Sequence, residues 1–317
     1  MITFDPEKLK VPEVHRLLLG GVGPRPIALV SSVSADGIRN LSPFSFFNVF
    51  GANPPYVAFS PARRGKDASL KDTYINIAET KECVVNSVNF SMVEQISFAS
   101  TEFSPEIDEF QESGLTPVES VMVRPPRVLE SPFQMECRVE QILNLGDGKA
   151  SGNLIICRVL LIHTNEELFE HGIISPYKID LVARMSGEYY CRANGDSVFE
   201  IPKPAGKTGI GYKALPLDWK NSELLTANEL GKLCHLESLP TIEELNSFYE
   251  NLSPRMKSRS IEELNSLVIS EKFEEAIPAI INSGDGSRRE LLYKTAKRYL
   301  ALNKIYEAAV ILTIAHW

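Results

Sequence analysis

The sequence predicts a β-rich barrel followed by an α-helical extension, on three observations. Between Arg25 and about Ile201, short β-branched runs recur between turn signals. Helical patterns are sparse in that stretch, which favours a barrel over a doubly wound parallel sheet. After the Pro-, Gly- and Lys-rich segment "FEIPKPAGKTGIGYKALP" (Phe199–Pro216), helical periodicity takes over. The expected organisation is a β domain over 1–204, a linker with short helices over 205–240, and an α-helical domain over 241–317.

The elements follow in order. "RPIALVSSVS" reads as a strand that stops at the turn signal Asp36-Gly37. "PYVAFSP", "ECVVNSVNF", "FQMECRVEQIL" and "NLIICRVLLIHT" are further strands, the last two flanking the Gly-rich hairpin loop "NLGDGKASG". One helix is expected to start near Lys71, another to cover Ser91–Ser100, and a third to span Pro105–Ser113 before a C-capping Gly114. In the extension, Thr241-x-x-Glu244 and Ser260-x-x-Glu263 are capping-box signatures, each opening an identical "IEELNS". "KFEEAI" (Lys272–Ile277) and "IYEAAV" (Ile305–Val310) align at a spacing of 33 residues. That period resembles tetratricopeptide units, with a plain helical hairpin bundle as the simpler reading.

Charge and composition exclude several classes. A formal net charge of −8 argues against a general nucleic-acid or anionic-membrane surface. No apolar run approaches the roughly 20 residues needed to cross a bilayer, and "MITFDPEKLK" lacks the basic and apolar regions of a signal peptide. Five cysteines without a C-x-x-C, several inside apolar runs, read as buried free thiols. A reducing, cytoplasmic setting is the expectation.

Most chemical motifs fail on inspection. "AGKTG" resembles the end of a phosphate loop, but Ile201 stands where the first Gly is required. "GGVGPRP" lacks a third Gly and runs into two prolines. The histidines His15, His163, His171, His235 and His316 have no ligand spacing, so no metal is expected. Glu106, Asp108 and Glu109 in "SPEIDEF" are expected on a solvated helix face, and no nucleophile motif appears. No catalytic side chain is assigned.

Two segments remain. "PARRGKDASLKDTYINI" (Pro61–Ile77) concentrates Arg63, Arg64, Lys66 and Lys71 with Ser69 and Thr73, directly after a buried-looking strand. Ser69, Thr73 and the amides near Lys71 can donate to one small anion, while Asp67 and Asp72 orient the cations. A solvated basic loop is the competing reading. "NLSPFSFFNVFGANPP" (Asn40–Pro55) sets four Phe among Ser and Asn, either as core packing or as an irregular loop along a flat heterocycle. A phosphate clasp beside a flat-ring slot suits a mononucleotide cofactor such as FMN.

From Arg25 to Tyr190 the sequence resembles the flavin reductase-like family of FMN-binding split-barrel proteins, which includes the flavoredoxins. The likeness rests on seven collinear segments: "RPIALVSSVSADG", "NLSPFSFFN", "NPPYVAFSP", "RRGKDASLKDTYINI", "ECVVNSV", "PPRVLESPFQMECRV" and "ARMSGEYY". It implies a split β-barrel that forms a homodimer, with FMN in a groove near the subunit interface. Ser45, Phe46, Phe47 and Asn48 match the family's flavin-contacting loop. Ser60, Arg63, Asp67, Ser69, Lys71, Asp72 and Thr73 match the segment for the phosphate and ribityl chain. Arg184 matches a position that approaches the flavin, from this subunit or the other. Cys83 stands where an aromatic is common and Ser186 where a Gly is common. The implied activity is an NAD(P)H-dependent flavin reductase with hydride transfer to flavin N5. The alternatives are a non-enzymatic, flavoredoxin-like FMN carrier, or an adaptor whose C-terminal helices recruit a protein partner.

Overall fold

The computed structural model describes residues 1–201, 208–251, 259–283 and 286–316. The chain divides into two compact units, Met1–Glu200 and Ile201–Trp317. Residues 202–207, which straddle the expected boundary between the β domain and the linker, lie outside the described residues.

The first unit is built on a seven-stranded antiparallel sheet. Its strands are β1 (Ala28–Val33), β2 (Arg39–Phe44), β3 (Phe47–Ala52), β4 (Pro55–Phe59), β5 (Glu82–Ser87), β6 (Phe133–Asn144) and β7 (Asn153–Thr164). Their spatial order is β2-β1-β5-β6-β7-β4-β3. All six residues of β1 are buried: Ala28 and Val30 join one apolar cluster with Phe59 and Val85, while Leu29 joins another with Ile96 and Phe110. Burial on both faces explains why β1 reads as a nearly continuous apolar run. The β6–β7 hairpin carries register shifts at Ile156/Cys157 and Val159/Leu161, irregularities that bend and twist a sheet. Cys83, Cys137 and Cys157 are free thiols buried on the three neighbouring strands β5, β6 and β7.

Two expectations need correction. The Phe-rich segment is not an irregular loop but forms β2 and β3, each paired along one side only. Pro43 is tolerated there because an edge strand has no second ladder to donate to. Among the helices of this unit are α1 (Val11–Gly21), α2 (Asp72–Thr80), α3 (Val93–Phe98) and α4 (Glu109–Ser113). The third expected helix is shorter than its sequence span because Asp108 caps it, accepting from the Phe110 amide at 3.0 Å, and it ends at Gly114 in the left-handed conformation. Glu109 is accordingly buried, not on a solvated face. A three-stranded sheet (Arg25–Pro26, Val182–Arg184, Tyr190–Arg192) sets Arg25 opposite Arg184.

In the second unit, short helices at Gly211–Ala214, Leu217–Lys220 and Ala227–Leu233 precede longer ones at Ile242–Asn251, Ile261–Ile269, Phe273–Ile281, Arg288–Ala301 and Ile305–Ile314. Leu215, Trp219, Leu233, Ile280, Leu292 and Ile311 share one core. Ser260 and Glu263 cap reciprocally, and Glu244 accepts from the Thr241 amide at 2.8 Å while donating its own amide to Thr241 Oγ1. Ala276 and Ala309, the matching positions of the 33-residue repetition, are both fully buried. Among the described residues, no helix is long and apolar enough to cross a membrane.

Phe59 is fully buried and stacks on Phe44 at 5.6 Å between centroids. Phe59→Ala is therefore expected to destabilise the first unit by about 3–5 kcal/mol, read as a lower urea midpoint with unchanged slope.

Candidate functional site

A cleft of about 290 Å³ opens where β2 turns into β3, bounded by α1, α3, the head of α2 and the three-stranded sheet. Its geometry is organised by Arg25. The Arg25 side chain is buried, and Nη1 donates to the Leu19 carbonyl at 2.8 Å and also to that of Val22, at the end of α1. Nη2 donates to the Met185 carbonyl at 2.8 Å, and Nε reaches Ser45 Oγ at 3.5 Å. Burial, with Arg184 adding repulsion, lowers the Arg25 pKa from the usual guanidinium range. These contacts matter because α1 contributes no buried residue of its own. Its His15 and Leu19 nevertheless form one wall of the cleft.

The opposite walls bring hydrogen-bond donors and a cation. Ser60 is fixed by its own amide, which donates to the Phe46 carbonyl at 2.8 Å, and its Oγ accepts from the Asn153 amide at 3.0 Å. The hydroxyl hydrogen of Ser60 is left to donate into the cleft. A Cβ on Gly152 would lie 3.2 Å from that Oγ, so the hairpin backbone packs directly against the hydroxyl. Lys71 stands immediately before α2, with Nζ 5.9 Å from the centroid of Phe44. It has no ion pair among the described residues. Burial, then repulsion from Arg64, lowers its pKa. Arg184 lies over the Tyr190 ring at 4.5 Å, and its guanidinium also hydrogen-bonds the Tyr190 hydroxyl and the Gly187 carbonyl.

Of the residues selected from sequence, the cleft gathers Ser45, Phe46, Ser60, Lys71 and Arg184. Arg184 reaches it within the same chain. Asp72 and Thr73 line an adjoining crevice of about 20 Å³ that shares Lys71. Thr73 is turned inward, donating to Asn40 Oδ1 at 2.7 Å. Asn40 in turn donates to Glu109 at 2.8 Å, and Glu109 also accepts from the Leu41 amide at 3.0 Å. Burial raises the Glu109 pKa despite these bonds.

The basic turn itself is largely self-paired. Arg64 bridges Asp72 at 3.1 Å and Glu102 at 3.4 Å. Arg63 donates to the Ala68 carbonyl at 3.0 Å and approaches Asp147 at 3.3 Å, leaving its buried Nε without a partner. Asp67 accepts from the Ser69 hydroxyl at 2.7 Å and amide at 2.9 Å, bonds that lower its pKa. Phe47 packs on the sheet core, and Asn48 is exposed, accepting from the Val49 amide at 2.8 Å. The sequence reading did not select Arg25, His15, Ser100 or Tyr190, all of which line the cleft. Arg25 alone carried a signal, as a charged residue heading the buried run of β1.

Residues 21–179 match the family described as flavin reductase like domain. An uncharacterized protein of Aquifex aeolicus is 37% identical over 189 residues, which is 59% of this chain and 94% of that protein. The crystal structure of nitrilotriacetate monooxygenase component B from Bacillus cereus superposes with a TM-score of 0.60 at 33% identity, over 63% of this chain and 98% of that one. A split barrel domain protein of Shewanella frigidimarina gives 0.55 at 24% identity, over 64% of this chain and 100% of that one. The chain thus belongs to the flavin reductase-like family, with a split-barrel fold and a C-terminal helical extension.

Family membership implies a bound flavin, and the donor set fits one. Lys71 offers a cation without an ion pair among the described residues, Ser60 offers a free hydroxyl hydrogen, and the buried, orphaned Nε of Arg63 lies in the neighbouring turn. Phe44 and Phe46 give the same cleft aromatic surface.

Arg25→Lys keeps the charge but loses the planar fork that reaches four acceptors. It is expected to cost about 1.5–3 kcal/mol of stability and to speed proteolysis within residues 11–24. Limited proteolysis with mass spectrometry checks this; cleavage unchanged from the parent protein would contradict the role of Arg25 as the anchor of α1.

Proposed function

We propose that this chain is an FMN-binding oxidoreductase that acts as an NAD(P)H-dependent flavin reductase. The observation that carries the reading is the pairing of a half-buried Lys71, which has no ion pair among the described residues, with the free Ser60 hydroxyl on one cleft wall. Lys71 would balance the phosphate, and Ser60 would donate to the ribityl chain or phosphate. Phe46 supplies an apolar face for the ring, and Arg25 and Arg184 give the cleft a positive field suited to developing negative charge. When bound, FMN supplies the hydride acceptor, N5, for a hydride from C4 of NADH or NADPH. No side-chain nucleophile is needed for that transfer. The name of the Bacillus cereus neighbour, one component of a monooxygenase, supports a role in supplying reducing equivalents to another protein.

A homodimer belongs to the same proposal. Edge strand β3 exposes Val49 and Phe50, and α1 exposes Val11 and Leu18, apolar surface suited to burial against a second copy. Light scattering is expected to return twice 35.3 kDa.

The purified protein is expected to absorb near about 450 nm, as oxidised flavins do, and to bleach on anaerobic mixing with NADH or NADPH. Retained colour without bleaching would favour a non-enzymatic carrier of electrons. A colourless protein that takes up no FMN would leave an adaptor role. Lys71→Ala and Ser60→Ala should each weaken FMN binding by about 1–3 kcal/mol, measured by fluorescence titration. The pH dependence has a defined sign. Because the Lys71 pKa is lowered, its cation is lost as pH rises through that lowered value, and FMN affinity falls with it. Lys71→Ala should lack this alkaline fall.

A further inference from the structure

Back to back with the first cleft lies a second cavity of about 360 Å³, within the usual size of a small-molecule site. The two share Tyr190, and both draw on the segment around α3, through Ile96 and Ser100 on one side and Val93, Glu94 and Ser97 on the other. Their electrostatics are opposite. The first is lined by Arg25, Lys71 and Arg184. The second is lined by Glu94 and Glu188, which have no hydrogen-bond or ion-pair partner among the described residues. Its one cation, Arg192, is already engaged: Nε and Nη2 donate to the two carboxylate oxygens of Asp180 at 2.7 Å each, and the guanidinium covers Phe90 at 4.0 Å. What the cavity offers a ligand is therefore two unneutralised carboxylates beside the apolar walls of Val93 and Val182 and the aromatic surface of Tyr190.

We propose that this second cavity binds a flat aromatic cation. The ring would lie against Val93, Val182 and Tyr190, and its positive charge would be attracted both by the carboxylates and by the aromatic quadrupole. Nucleotides are disfavoured, since Glu94 and Glu188 repel phosphates. The proposal stands apart from the flavin reading, because neither glutamate lines the first cleft.

Methylene blue, a flat aromatic cation, serves as the probe, with equilibrium dialysis against the full-length protein at low ionic strength. Saturable binding of one dye per chain is expected. The double variant Glu94→Gln/Glu188→Gln should weaken it about tenfold or more, the scale of two partly screened charge contacts. A charge-matched control, Glu166→Gln/Glu243→Gln, should leave it unchanged. The anionic dye 2,6-dichlorophenolindophenol should bind more weakly than methylene blue to the parent protein and gain affinity in the double variant. Equal methylene blue affinity in parent and double variant, or an equal loss in the control, would overturn the proposal. FMN titrated in parallel separates the two sites: failure to bind FMN with glutamate-dependent dye binding intact would defeat only the flavin reading. Stoichiometric displacement of the dye by FMN would defeat the second site.

Discussion

Everything at the cleft depends on one buried guanidinium. Stranding a charge inside a protein costs several kcal/mol unless its hydrogen bonds are met, and Arg25 meets that demand with carbonyls that themselves needed donors. Leu19 and Val22 lie at the C-terminal end of α1, where helix carbonyls lack intrahelical partners and the dipole is negative. The same side chain also takes the Met185 carbonyl, 160 residues away in sequence, and touches Ser45. One residue thereby fixes a helix that buries nothing, a distant strand and the β2–β3 turn in a single arrangement. The cleft is the space left between them.

Electrostatics follow from that arrangement. Sheet register sets Arg184 across from Arg25, so two guanidiniums share one small region. Like charges tolerate such closeness only where each finds acceptors or an aromatic face, and Arg184 finds Tyr190 and the Gly187 carbonyl. Tyr190 then acts as a partition: a cation-lined space on one side, a carboxylate-lined space on the other. The acidic character of the whole chain says little about either, because charge at a site is set by which side chains lack partners.

How far the sequence was legible follows the range of the interactions involved. The long β6–β7 hairpin, the helix beginning after Lys71 and the capping boxes all rest on local pattern and stand in the structure. Lys71 and Ser60, each at the end of a regular element, both line the cleft. Thr73 was not: its partner Asn40 lies 33 residues upstream, and no local signal tells a hydroxyl bound for a core network from one facing a ligand. Glu109 misled for the same reason, its destination being fixed by Asn40 and the Leu41 amide on β2. The prolines of the Phe-rich segment leave core packing and an irregular loop both open; it forms two edge strands, where proline removes no needed donor.

The approach of Gly152 to Ser60 has a consequence for how this chain can vary. Hairpin tips are ordinarily the most permissive positions in a domain, and Gly148, whose nearest added contact would be 3.7 Å away, fits that pattern. Four residues on, at Gly152, a methyl group would crowd at 3.2 Å the hydroxyl oxygen of Ser60, which lines the cleft. Permissiveness therefore ends abruptly within one loop. Drift at Gly148 is tolerated, whereas at Gly152, where the backbone becomes the backing of the site, a surface position carries the mutational constraint of a binding residue without touching any ligand.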